Sequence, residues 1–309
     1  MKKILVTGGS GFIGSHLCDF LIKKNNKVIA LDNNYSSKKS NIKHLLNNKN
    51  FIFLKRDVNK KLNMNVDEIY HLACPASPKY YQLDPINTLK TNVIGTLNML
   101  ELADKNKCKI LISSTSEIYG DPLSHPQNEK YWGNVNPIGP RACYDEGKRS
   151  AECLAFDFFR QKNTKIKIVR IFNTYGPRMD KSDGRVISNL IMQALNAREM
   201  SIYGDGSHTR SFCYYEDTVK GIYKMMNANS KFTGPVNIGN PSEISILELA
   251  KKIADIMKIK LKIQFLPLPI DDPYRRKPDI SLAKNLLNWS PKVNLMTGLK
   301  STINYLADN

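Results

Sequence analysis

The chain is short of acid and sparing with cysteine, histidine and tryptophan: 28 Asp and Glu against 46 Lys and Arg, with six Cys, five His and two Trp in 309 residues. The deficit of acid leaves a formal charge of +18. A charge that large attracts nucleic acid, an anionic membrane or a phosphorylated ligand. The lysines are scattered in pairs such as Lys38–Lys39, Lys60–Lys61 and Lys251–Lys252. None forms a long tract, so the charge reads as a solvated basic surface and no nucleic-acid partner is expected. The cysteines (Cys18, Cys74, Cys108, Cys143, Cys153 and Cys213) have no C-x-x-C spacing, and the histidines do not cluster with them. No metal site is therefore expected, and reduced thiols point to a cytoplasmic address. No apolar run reaches the ~18–20 residues that cross a bilayer, and Met1 to Thr7 run straight into glycines without a signal-peptide pattern. No membrane partner is expected.

The first half alternates short apolar runs with amphipathic segments. Strands are predicted at 3–7, 27–31, 51–54, 68–72, 109–113 and 166–171. Helices are predicted at 12–24, 85–105 and 144–160. That alternation implies an α/β fold with a Rossmann-type, doubly wound parallel sheet covered on both faces. After about Phe172 the pattern loosens, with helices expected at 184–196, 215–227, 245–257 and 296–307. The expected division is a Rossmann domain over 1–172 and a smaller C-terminal substrate-binding lobe over 173–309. A segment at about 211–240 is expected to return to the first domain.

The first strand ends in a glycine run, with G-x-G-x-x-G at Gly9, Gly11 and Gly14 and a second pattern that starts at Gly8. Glycines permit a tight turn and close approach to a pyrophosphate, and the helix that opens at Phe12 and Ile13 aims free N–H groups at it. The context, strand then glycines then helix, makes NAD the expected cofactor. Asp32 ends the second strand, where a carboxylate accepts from a ribose and repels the extra phosphate of NADP; Asn33 is its neighbour. Lys38 and Lys39 leave a small opening for NADP. Asp57 and Val58 follow the third strand and suit the adenine ring, though a simple turn explains them nearly as well.

Tyr144 and Lys148 are four residues apart, so on a helix they share a face. A phenol has a pKa of about 10 and is a poor base at neutral pH. A nearby ammonium and a positive nicotinamide both favour phenolate. Thr115, Ser116 and Glu117 follow the strand at 109–113, at the sheet edge where ligands sit in this architecture. A hydroxyl there can bond the reacting oxygen and a carboxylate can handle protons; helix capping explains the same residues.

Longer segments carry a resemblance. They are 71–78 (HLACPASP), 89–92 (LKTN), 114–122 (STSEIYGDP), 131–141 (YWGNVNPIGPR), 143–148 (CYDEGK), 170–178 (RIFNTYGPR), 183–185 (DGR), 209–212 (TRSF) and 275–279 (RRKPD). Together they span nearly the whole chain, and it resembles the UDP-glucuronate decarboxylases, a branch of the extended short-chain dehydrogenases. The resemblance implies decarboxylation of UDP-glucuronate to UDP-xylose through a 4-keto intermediate, with NAD recycled. It implies Tyr144 as base, Lys148 as its partner and a contact of the nicotinamide ribose, and Thr115 and Ser116 beside the reacting oxygen. Glu117 would assist positioning or proton handling. Lys90 and Thr91 would border cofactor and substrate, while Tyr81 and Asn173 would touch the sugar and its diphosphate. Arg185, Arg210 and Arg276 would be substrate-side cations, with Arg276 suited to carboxylate or proton-transfer chemistry; a structural ion pair explains any one of them.

Other outcomes stay open at this point: release of the 4-keto pentose, a nucleotide-sugar 4,6-dehydratase or 4-epimerase, or an RNA-binding relative without chemistry. The resemblance also implies a homodimer packed through helices 85–105 and 144–160, although those apolar stripes serve equally as internal core. Membrane-anchored members carry an extension before the glycine loop. This chain starts at the loop and is expected to resemble the soluble forms.

Overall fold

The computed structural model describes residues 1–182 and 184–308; Asp183, part of the 183–185 segment, and Asn309 lie outside them. Six parallel strands, most of them separated by helices, are β1 (Lys3–Thr7), β2 (Lys27–Asp32), β3 (Phe51–Lys55), β4 (Glu68–His71), β5 (Lys109–Thr115) and β6 (Ile166–Ile171); a loop alone joins β3 to β4. The strand Val236–Ile238 joins them outside β6, giving the order Val236–Ile238, β6, β5, β4, β1, β2, β3. The order reverses between β1 and β4, which opens a crevice at the carboxyl ends of those strands.

The strands form because apolar residues occupy both faces. Ile4 and Val6 pack into a core with Leu17, Leu21, Val28 and Tyr70, and Leu5 between them packs into the opposite core with Ile29, Ile69, Leu100 and Ile110. That pattern is the signature of a sheet buried on both sides. Helix α1 (Phe12–Lys23) covers the first face. Helices α2 (Pro78–Leu83), α3 (Pro85–Lys90), α4 (Thr96–Asn106) and α5 (Ala142–Lys162) follow, with α4 and α5 on the second face. The helix predicted at 85–105 is interrupted. It opens at Pro85, where the Asp84 side chain accepts from Asn87 N at 3.0 Å, and it widens into a π-turn over Thr91–Gly95 before α4 resumes. The extra residue in that turn shifts the helical phase, which periodicity alone does not reveal.

The second half supplies α6 (Val186–Leu195), α7 (Tyr215–Met226), α8 (Ile246–Met257), α9 (Ser281–Leu287) and α10 (Leu295–Asp308). α6, α8 and α10 enclose a separate core built on Leu190, Ile191, Ile202, Leu249, Ile253 and Leu299. Ser245 and Glu248 form a reciprocal capping box that starts α8. α7 and α9 instead pack with the strand Val236–Ile238, burying Ile222, Met225, Ala283 and Trp289 in the core of α1. Helix α9 has no counterpart in the sequence prediction: it has only seven residues, too few for a clear period. Two small sheets join distant segments of the lobe. Met200–Tyr203 pairs with Ile263–Leu266, and Thr209–Ser211 lies between Glu243–Ser245 and Arg275–Arg276.

Candidate active site

One cleft of about 810 Å³ runs along the carboxyl ends of the strands, between the sheet and the lobe. Its cofactor end is a backbone device. Gly8 adopts φ +70°, and its carbonyl accepts from Gly11 N at 3.0 Å. A Cβ on Gly14 would lie 2.0 Å from the Gly8 oxygen, so the turn and the helix can approach only without a side chain there. No side chain caps α1 at Gly11, and Phe12, Ile13 and Gly14 line the cleft. An uncapped helix N-terminus of this kind is suited to phosphate. Asp32 ends β2 at the same end. It is 7% exposed and accepts from Ser10 N, Asn34 N and Ser37 Oγ at 2.8–3.1 Å. Lys38 pairs with Asp180 at 3.1 Å rather than with the neighbourhood of Asp32.

The middle of the cleft joins the end of β5 to α5. Thr115, Ser116, Tyr144 and Lys148 all line it and are each under 8% exposed. Lys148 Nζ donates to Ser113 O at 2.8 Å and lies 5.9 Å from the Tyr144 ring centroid. The Tyr81 ring stacks on Tyr144 with centroids 5.1 Å apart and planes within 7°, which fixes the phenol's tilt. Burial pushes the Tyr144 phenol well above its ordinary value, against a lowering contact with the Thr115 hydroxyl. The depression expected from Lys148 does not set the phenol's position, which desolvation dominates, and burial lowers the Lys148 ammonium too.

The substrate end is held by ion pairs. Glu117, in the short 3₁₀ turn Ser116–Tyr119, accepts from Arg276 and from Arg141 Nη2, the latter at 2.6 Å. Burial alone would raise the Glu117 carboxyl, but Arg276 and Arg141 together hold it down at about 2. Asp272 bridges onward, from Arg141 at 3.3 Å to Arg210 at 2.8 Å. Asp145, one residue after the tyrosine, behaves oppositely. It is 6% exposed, its Oδ1 has no hydrogen-bond partner, and burial followed by the Glu117 charge pushes its carboxyl up to about 7.

Most of the sequence-predicted residues meet in this cleft. Gly8, Gly11, Phe12, Ile13, Gly14, Asp32, Asn33, Val58 and Thr91 line one end; Tyr81, Asn173, Arg185, Arg210 and Arg276 line the other. Two do not. Lys90 is exposed at the last turn of α3 and is absent from the lining, which Asn87 and Thr91 join. Asp57 is absent from the lining, its carboxylate accepting from Asn33 Nδ2 and Asn59 N at 2.9 and 2.8 Å. Arg141, Asp145 and Asp272 were not singled out from the sequence. Arg141 and Asp145 lie inside the segments that carry the resemblance, but only the fold reveals their charge partners. Among the described residues no group of three His, Cys, Asp or Glu side chains could hold a metal ion, and no helix is long and apolar enough to cross a membrane.

A parallel sheet with a glycine turn at its switch point and a Thr, Tyr and Lys set above β5 defines the extended short-chain dehydrogenases. The sequence family described as GDP-mannose 4,6 dehydratase matches residues 5–302. UDP-glucuronic acid decarboxylase 6 of Arabidopsis thaliana is 54% identical over 298 residues, covering 96% of this chain and 86% of that protein. UDP-glucuronic acid decarboxylase 1 of Danio rerio is 52% identical over 306 residues, covering 99% of this chain and 73% of that protein. Among solved structures, the UDP-glucuronic acid 4-epimerase of Bacillus cereus, in complex with UDP-glucuronic acid and NAD, superposes with a TM-score of 0.89 at 31% identity and 99% coverage of both chains. The chain belongs to the UDP-glucuronic acid decarboxylase family.

Proposed function

We propose that this chain decarboxylates UDP-glucuronate to UDP-xylose with NAD as a retained cofactor. The observation that carries the reading is the Arg276–Glu117 pair, with Glu117 two residues after Thr115 at the end of β5 and in the same cleft as Tyr144. It supplies cationic and carboxylate groups beside a redox-type Tyr/Lys pair, as carboxyl loss from a sugar requires. The residues present fit the cofactor: α1 is uncapped beneath its glycine turn, and the Asp32 carboxylate ends β2, where a ribose belongs. NAD held there would supply reversible hydride chemistry at sugar C4 and would emerge unchanged.

The chain's own residues do the rest. Tyr144 accepts the C4 hydroxyl proton. Because burial raises this phenol, its anion needs positive support, and Lys148, one helical turn away with its ammonium 5.9 Å from the ring centroid, is a source. Thr115 and Ser116 hydrogen-bond the C4 oxygen. As a ketone, C4 lies β to the carboxylate, and carbon dioxide leaves with its bonding electrons passing into an enolate stabilised by those hydroxyls. Glu117 and Arg276 position the sugar and handle the proton that C5 takes up, while Arg210, Arg185 and Asn173 face the diphosphate. Mass spectrometry after incubation with UDP-glucuronate tests the reading. The expected products are carbon dioxide and a UDP-pentose; an unchanged substrate or an epimerised UDP-uronate overturns it.

The same proposal includes a homodimer. Leu83, Ile86, Leu89 and Ile94 on the α2–α4 face and Phe159 on α5 are all at least 39% exposed, an apolar surface suited to a second copy. Light scattering that reads a single-chain mass overturns that part. All six cysteines are free, which suits the reducing cytoplasm.

A further inference from the structure

Three arginines and two carboxylates form one chain of ion pairs at the substrate end: Arg276, Glu117, Arg141, Asp272 and Arg210. Arg210 and Arg276 are register partners on neighbouring strands. The set carries one positive charge more than negative, in a place where unpaired charge is costly. The members are not equally committed. Arg276 is 3% exposed and also donates to Gly120 O at 3.4 Å. Arg210 donates to Thr209 O and Tyr274 O as well as to Asp272. Arg141 has only the two carboxylates, and its Nε, like that of Arg276, is buried without a partner. Its bond to Asp272, at 3.3 Å, is the longest of the four ion pairs in this set. Asp272 has the most exposed side chain of the five, at 29%, and its segment lines the cleft through Leu268, Pro269 and Ile270. Arg141 also stands one helical turn before Tyr144, whose N–H bonds the Arg141 carbonyl at 3.0 Å.

In a UDP-uronate the C6 carboxylate hangs from C5, the ring carbon next to C4, and Arg141 lines the same cleft as Tyr144. We infer that Arg141 is the residue that selects a sugar carboxylate, and that Asp272 is an internal stand-in which that carboxylate displaces. The inference rests on the proposed UDP-uronate substrate and adds the group that distinguishes it from a neutral UDP-hexose. Displacement frees Arg141 Nη1 for the incoming carboxylate while Nη2 stays on Glu117, a charge-assisted contact that a neutral hydroxymethyl group cannot match.

The test is calorimetric binding of UDP-glucuronate, UDP-glucose and UDP to the NAD-loaded protein, compared with Arg141→Met and Asp272→Asn. Arg141→Met is expected to weaken UDP-glucuronate at least about tenfold, with UDP-glucose and UDP held within about twofold. Asp272→Asn, which leaves the receptor in place, is expected to raise the preference for UDP-glucuronate over UDP-glucose a few-fold. The inference is overturned if Arg141→Met weakens all three ligands alike or none of them, or if Asp272→Asn leaves the preference unchanged or lowers it. A wild-type protein that prefers UDP-glucuronate without releasing carbon dioxide would count against the proposed reaction while leaving the role of Arg141 standing.

Discussion

The two ends of the cleft are built by different means. The cofactor end is local: a strand, a glycine turn and a helix within residues 3–23, with the Gly8 and Gly14 backbones in van der Waals contact. The substrate end is assembled from afar. Glu117 and Arg276 are 159 residues apart in the chain, and Arg141 and Asp272 are 131 apart. The cofactor end works by leaving side chains out, the substrate end by pairing charges that would otherwise repel or stay desolvated. A backbone cradle of that kind tolerates no added atom, whereas a charge chain can exchange a member for a ligand.

Perturbations should therefore separate the two ends. The largest effect lies at the seam. Tyr144→Phe removes the proton acceptor and is expected to slow turnover about 10²–10⁴-fold, with UDP affinity nearly unchanged; steady-state and binding measurements on one preparation check both. Next is Gly14→Ala, which drives a methyl into the Gly8 carbonyl. It should cost about 1–3 kcal/mol of stability and strip NAD from the purified protein, as read by denaturant titration and by absorbance of released cofactor. UDP binding by the remaining folded protein should change far less.

Titration gives the smaller tests. The Glu117 carboxyl sits at about 2, below its ordinary 4.5. A depressed carboxyl stabilises the fold above its unfolded value and loses that contribution as pH falls through the folded one. The wild type should thus lose stability from this group between about pH 4.5 and 2, and Glu117→Gln should flatten that limb of the unfolding midpoint against pH. Asp145 runs the other way, raised from 3.8 to about 7. Its folded-state penalty is absent below pH 3.8 and grows as pH rises to about 7. Asp145→Asn should therefore raise Tm by about 2–4 °C at pH 8 and leave it unchanged at pH 4, measured by calorimetry.

The same contrast explains what the sequence reveals. Strands β1 to β6 and helix α1 have strong periodicity or glycine punctuation, and their predicted bounds lie within two residues of those observed. Tyr144 and Lys148 are legible because four residues on a helix place them on one face. The strand Val236–Ile238 has three residues, and its place beside β6 is a long-range fact. Lys90 and Asp57 are absent from the cleft lining, Lys90 exposed at the end of α3 and Asp57 accepting from Asn33 and Asn59. Arg141 and Asp272 are ordinary charged residues until the fold brings a loop at 268–272 against the start of α5. Nothing local marks them.

The account rests on oxidation at C4 preceding loss of the carboxyl group. The most direct measurement is carbon dioxide release from UDP-glucuronate by protein loaded with NAD, compared with the same protein loaded with NADH. Release by the oxidised form alone is the predicted result. Equal release from both forms would contradict it, because a carboxylate with no ketone β to it would then be leaving unaided.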